Sequence, residues 1–179
     1  MTYNWQQPDW PNFRYDLSGV EDALLSFAEQ TGHVAGMFES ISEEAQIEAV
    51  IDTMVAEAIK TSEIEGEYLS RYDVASSIRN HLGFNKTPER IKDRRAQGVG
   101  ELMVDVRHSF AEKLTEQKLF AWHEMLFSQS RRIHAGAWRK DASPMQVVSG
   151  AIGKEKIHFE APPSSRVPAR PRKATAIWS

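Results

Sequence analysis

The chain has 179 residues and no cysteine, which excludes disulfides and thiolate metal sites. No apolar run approaches the length, roughly 20 residues, that crosses a bilayer. The opening Met1-Thr2-Tyr3-Asn4-Trp5-Gln6-Gln7 lacks the basic region and apolar core of a secretion signal. These absences predict a cytoplasmic protein with no membrane segment. Metal spacing is missing too. His33, His81, His108, His123, His134 and His158 are scattered, and His123-Glu124 lacks the second histidine of a His-Glu-x-x-His pair. Gly150-Ala-Ile-Gly153 is not followed by Lys-Ser or Lys-Thr and reads as a turn rather than a phosphate loop. Ser, His and Asp are present, but nothing sets them out as a triad.

What remains is 41% apolar and 26% charged, the balance of one globular domain, with or without a small appendage. The net charge of −3 makes nucleic acid an unlikely partner, although the charge is uneven. The segment around Glu43 to Glu67 is acidic, and the part beyond Arg131 is basic. Ile91-Lys-Asp-Arg94-Arg95 could meet phosphates, but Glu89 and Asp93 dilute it, so a solvated helix face is the better reading. A DNA-binding regulator using Lys92, Arg94 and Arg95 would show salt-dependent DNA retention.

Periodicity predicts a mainly α-helical fold with one β-hairpin near the C-terminus. Trp5, Trp10 and Phe13, with two prolines, suit an extended arm laying aromatics on a neighbouring surface. A helix is expected from about Ser18 to Phe38, with Leu24, Leu25, Phe27, Ala28, Val34 and Phe38 as its apolar positions. Ser42 reads as an N-cap with Glu43 and Glu44 in the first turn, opening a helix to Glu65 on an Ile47, Val50, Ile51, Met54, Val55, Ala58 stripe. Ser70 and Asp73 form a capping box for a short helix closed by Gly83. Thr87-Pro88-Glu89 predicts the start of another, running to about Glu112 and burying Ile91, Val99, Leu102, Met103, Val106 and Phe110. Thr115 starts the next, with Leu119, Trp122, Leu126 and Phe127 on one side. The period then changes: Met145–Ser149 and Lys156–Phe159 are β-rich runs around the Gly150–Gly153 turn. Residues 168–179 show no period and are expected to be disordered.

Thr61-Ser62-Glu63-Ile64-Glu65-Gly66 closes the second helix, with Thr61 and Glu65 one turn apart and Gly66 at the stop. This run resembles the inhibitory motif [Ser/Thr]-x-x-x-Glu-[Gly/Asn] of Fic-domain proteins, most of which transfer AMP from ATP to protein hydroxyls. Later segments resemble the same family in the same order. Trp122–Phe127 with Ile133–Arg139 resembles the helix and Gly-x-aromatic-Arg turn before the flap, and Met145–Pro163 resembles the flap hairpin. The resemblance runs from about Tyr3 to Pro168. It divides the chain into an N-terminal helical region, 1–112, with the inhibitory helix at about 42–66; the start of a Fic-like domain, 113–167, with its flap at about 145–160; and a tail, 168–179.

By this resemblance Glu65 pairs with an arginine that would otherwise grip the γ-phosphate of ATP, Thr61 bonds nearby, and Gly66 permits the tight helix end. Val147, Val148, Ser149, Ile157, His158 and Phe159 form the flap, which holds a target protein segment as an added strand. ATP and Mg²⁺ are the family's substrate and metal. The catalytic signature His-Pro-Phe-x-[Asp/Glu]-Gly-Asn-Gly-Arg is absent from these residues. The chain is therefore expected to be inactive alone, with no cofactor and no catalytic residue of its own, as though cut before the catalytic motif. An alternative is a non-catalytic module that inhibits a Fic partner in trans, as an antitoxin does. Without the family's later helices, the Ile47/Val50/Met54 and Leu102/Val106/Phe110 stripes are expected to be partly exposed. That makes a homodimer possible.

Overall fold

The computed structural model describes residues 2–10, 12, 14–151 and 153–165; Phe13, Ile152 and the tail from Arg166 lie outside the described residues. The described residues form five α-helices and one two-stranded antiparallel sheet, so the fold is mainly helical with a hairpin near its C-terminal end. The chain divides into two compact units. One holds Tyr15–Phe110 with Met125–Gln129; the other holds Met1–Arg14, Ala111–Glu124 and Ser130–Ser179.

The larger unit is built on α2, Glu43–Ile64. Its Ser42 cap accepts the Ala45 N–H at 3.3 Å, as the Ser-Glu-Glu start predicts. Ile51, Met54, Val55 and Ala58 recur at helical spacing and are all buried. Helix α3, Arg71–His81, brings Val74 and Ile78, both wholly buried, onto that stripe, and α4, Arg94–Ser109, adds Ala96 and Val104. The α3–α4 approach depends on a missing side chain: a Cβ on Gly100 would stand 2.5 Å from both Cβ and Oγ of Ser77. Ser77, itself fully buried, donates its hydroxyl to the Gln97 carbonyl at 2.8 Å, so the contact also satisfies a polar group. Gly98 serves similarly against the Met125 carbonyl.

The start of α4 departs from expectation. Thr87-Pro88-Glu89 begins no helix; Asp93 is the N-cap, accepting the Arg95 N–H at 2.9 Å. The reason lies in α3. Asn80 holds the Glu89 backbone on both sides, accepting its N–H and donating to its carbonyl at 2.9 Å each, while Ser76 donates to the Glu89 carboxylate. The Ser70–Asp73 box is likewise half made. Ser70 accepts the Asp73 N–H, but the Asp73 carboxylate accepts the Asp93 N–H at 3.0 Å. Helix α4 also ends at Ser109, leaving Val106 37% and Phe110 83% exposed rather than buried. Of the stripes expected to be partly exposed, Met54 is buried and Ile47 and Val50 are half-buried. Helix α1, Glu21–Glu39, buries no residue at all.

Thr115 caps α5, Glu116–Phe127, most of which belongs to the smaller unit, through the Lys118 N–H. The strands are β1, Gln146–Ser149, and β2, Lys156–Glu160, with a bulge between Val147 and Val148. The N-terminal arm anchors them. Trp5 is buried and its indole N–H donates to the Glu160 carbonyl at 2.8 Å, while Tyr3 meets Phe159 edge-on at 5.3 Å.

Gly98→Ala forces a Cβ against rigid backbone and should destabilise the protein by roughly 1–3 kcal/mol. Gly36→Ala in α1 meets nothing within 4 Å and should stabilise by about 0.5–1 kcal/mol. Thermal denaturation followed by circular dichroism, giving opposite shifts, checks both.

Candidate functional site

The end of α2 is fixed by its backbone. Gly66 has φ +80° and donates its N–H to the Glu63 carbonyl at 3.0 Å; Glu67 donates to Ser62 at 2.8 Å. These paired bonds make a Schellman closure, which requires a residue tolerant of the left-handed region at Gly66. Glu65 is the C-cap, its N–H reaching the Thr61 carbonyl at 3.2 Å.

The carboxylates along this end differ in what they meet. Glu63 accepts from Lys60 Nζ at 2.7 Å. Glu67 accepts from Arg95 Nη1 at 2.5 Å. Glu65, between them, is exposed, and among the described residues its carboxylate has no hydrogen bond or ion pair. Thr61 turns its hydroxyl back along the helix to Glu57, at 3.4 Å, rather than towards Glu65. The two share a helix face and a backbone bond, not a side-chain contact.

Beyond Gly66 the chain is tied down by Arg95, which bridges Glu67 and Asp93. The Arg95 guanidinium and, less strongly, backbone N–H groups at the start of α4 hold the Asp93 carboxyl below the usual carboxylate range; partial burial opposes them. This clamp was not visible in the sequence, where Arg95 read as part of a solvated basic face.

The hairpin carries the other residues singled out. Val147, Val148 and Ile157 are exposed, and Ser149 and His158 join across the strands, Oγ to Nε2, at 2.6 Å. Phe159 is half-buried on the side of Tyr3. Each strand pairs only with the other among the described residues; the Trp5 indole takes the outward Glu160 carbonyl of β2, and no further strand pairs with the outer edge of β1. The turn before the hairpin has its own supports. Gly136, at φ +68°, donates its N–H to His123 Nδ1 at 3.0 Å, which places the ring proton on Nε2. Trp138 packs edge-on against Phe120 at 5.1 Å, and Arg139 donates to the carbonyls of Ser143 and Pro162.

A family model described as "Domain of unknown function (DUF4172)" matches residues 3–84. The matched segment runs from the arm through α1, α2 and α3, so it contains Thr61, Glu65 and Gly66 and leaves the hairpin outside. No curated protein matches the chain. Among the described residues no group of three His, Asp or Glu could hold a metal ion, and no helix is long and apolar enough to cross a membrane.

The Asp93 cap gives a pH dependence of known sign. A carboxyl whose folded pKa lies below its unfolded value, about 3.9, contributes stability that is full above that value and lost as pH falls through the folded one. Asp93→Asn keeps a capping oxygen but removes the titration, so stability measured by urea unfolding should decline less steeply below about pH 4 than in the wild type.

Proposed function

We propose that this chain is the regulatory part of a Fic-type AMP-transfer system acting in the cytoplasm. In this reading α2 presents Glu65 to an arginine of a catalytic domain, taking the place of the ATP γ-phosphate, and the β1–β2 hairpin receives an extended target segment. The observation that carries it is the state of Glu65: a partnerless carboxylate on a backbone-locked helix end, flanked by glutamates whose cations are already supplied. Such a group is free to accept a bidentate arginine from outside. The outer edge of β1 suits addition of a further strand through backbone hydrogen bonds.

The described residues do not fit ATP with Mg²⁺: they supply no metal-binding cluster, and the sequence has no anion-binding glycine loop and no His-Pro-Phe signature. No step of the transfer is therefore assigned to a residue of this chain. Its contribution is occupancy and repulsion at an anion site, and the catalytic groups lie outside these residues.

The chain incubated with labelled ATP, Mg²⁺ and a cell extract should transfer no AMP; labelling that depended on it would defeat the inactive assignment. Added to a Fic catalytic domain lacking its own inhibitory helix, the wild-type chain should slow AMP incorporation. Glu65→Gly should weaken that inhibition about tenfold or more, the worth of one lost charge-assisted pair. Equal inhibition by both chains, or none by either, would sink the assignment of Glu65.

A further inference from the structure

Around the end of α2, Ile59 and Leu69 are the flanking residues that pack on the core. Between them no side chain is buried. The Schellman bonds of Gly66 and Glu67 fix the local shape of the helix end, but both run back into the same helix. They leave its direction relative to the other helices free. The Lys60–Glu63 and Thr61–Glu57 contacts are also internal to α2. Among the described residues, the side-chain hydrogen bond that ties this stretch to another helix is the one from Arg95 Nη1 to Glu67, at 2.5 Å.

Arg95 is built to make that tie. Its Nε and Nη2 donate to the two Asp93 oxygens at 3.2 and 2.9 Å, a fork that leaves Nη1 for Glu67. A guanidinium already held by Asp93 loses less rotamer freedom when Glu67 joins it. Its base is rigid as well. The Asp93 N–H donates to the Asp73 carboxylate, buried at the start of α3, and Ala96, the next residue along α4, is fully buried. The polar network therefore runs from the buried start of α3, through the cap of α4, to the residue two past Glu65. It never touches Glu65 itself.

We propose that Arg95 is a positioning residue for Glu65: by holding Glu67 it sets the direction of the closing turn of α2, and with it the place of the Glu65 carboxylate. The proposal rests on the reading of Glu65 as the inhibitory group.

Two measurements separate the tie from that reading. In the isolated chain, the heteronuclear NOE of the Gly66 and Glu67 amides reports fast motion of the helix end. Arg95→Ala and Glu67→Ala should lower it at both positions while the Val55 and Ala58 amides keep their wild-type values. Glu67→Ala leaves the Arg95–Asp93 cap in place, so it tests the tie even where Arg95→Ala fails to fold. An unchanged NOE at Gly66 in Glu67→Ala overturns the proposal. In the inhibition assay with a Fic catalytic domain, Glu67→Ala should weaken inhibition about three- to fivefold, the most an exposed pair is worth, with melting unaltered. Added to Glu65→Gly it should cost nothing further, because Arg95 acts through Glu65. Wild-type inhibition by Glu67→Ala, or an additive loss in the double variant, overturns the positioning role; a weakened Glu65→Gly beside it leaves the reading of Glu65 standing. Equal inhibition by Glu65→Gly and the wild type overturns that reading and the proposal with it, and a lowered NOE then shows that the tie exists but serves no inhibitory carboxylate.

Discussion

The larger unit depends on the burial of Val74 and Ile78 of α3 against both α2 and α4, made possible by a glycine, Gly100, where a methyl would strike Ser77. This packing fixes α2 through Val55 and Ala58, about two turns short of Glu65. The last turn adds no buried apolar side chain and relies on backbone bonds instead. Gly66 and Glu67 return to the carbonyls of Glu63 and Ser62, and Arg95 fastens the departing chain through Glu67. The position of Glu65 is thus inherited from a core several residues away. Its side chain contributes nothing to that core and is free for another role.

The readable parts of the sequence were those whose cause is local. Ser42, Ser70, Thr115, Gly66 and Gly83 all act within one turn of themselves, and each helix end they mark is present. The hairpin was readable because its alternation and its glycines are also local. The failures share one cause, competition from residues distant in sequence. Thr87-Pro88-Glu89 carries a good helix start, yet Asn80 claims both backbone groups of Glu89 and fixes it outside a helix. Trp5 meets Glu160 across nearly the whole described chain, and no window of sequence contains both. Arg95 looked solvated because the acid that makes it a clamp, Glu67, comes from another segment, whereas Asp93 lies beside it in sequence. Helix α1 shows the converse: its apolar positions were legible, but periodicity tells which face is apolar and not what lies against it.

The electrostatics of the proposed inhibitory contact follow from the exposure of Glu65. A solvated carboxylate keeps its water until an arginine replaces it, so the pair must first offset the desolvation of both ions. An exposed ion pair gains at most about 1 kcal/mol on that balance, too little to silence an enzyme by affinity alone. Two features change the outcome. The Schellman closure removes backbone freedom before the encounter, so less entropy is lost on pairing. In the proposed contact the same carboxylate would stand where a phosphate oxygen goes, so the phosphate would be excluded by repulsion as well as by volume. Inhibition of this kind draws its strength from what it keeps out more than from what it holds. It is accordingly sensitive to the position of the carboxylate, and so to Gly66 and the Arg95 clamp, before it is sensitive to the number of hydrogen bonds Glu65 makes.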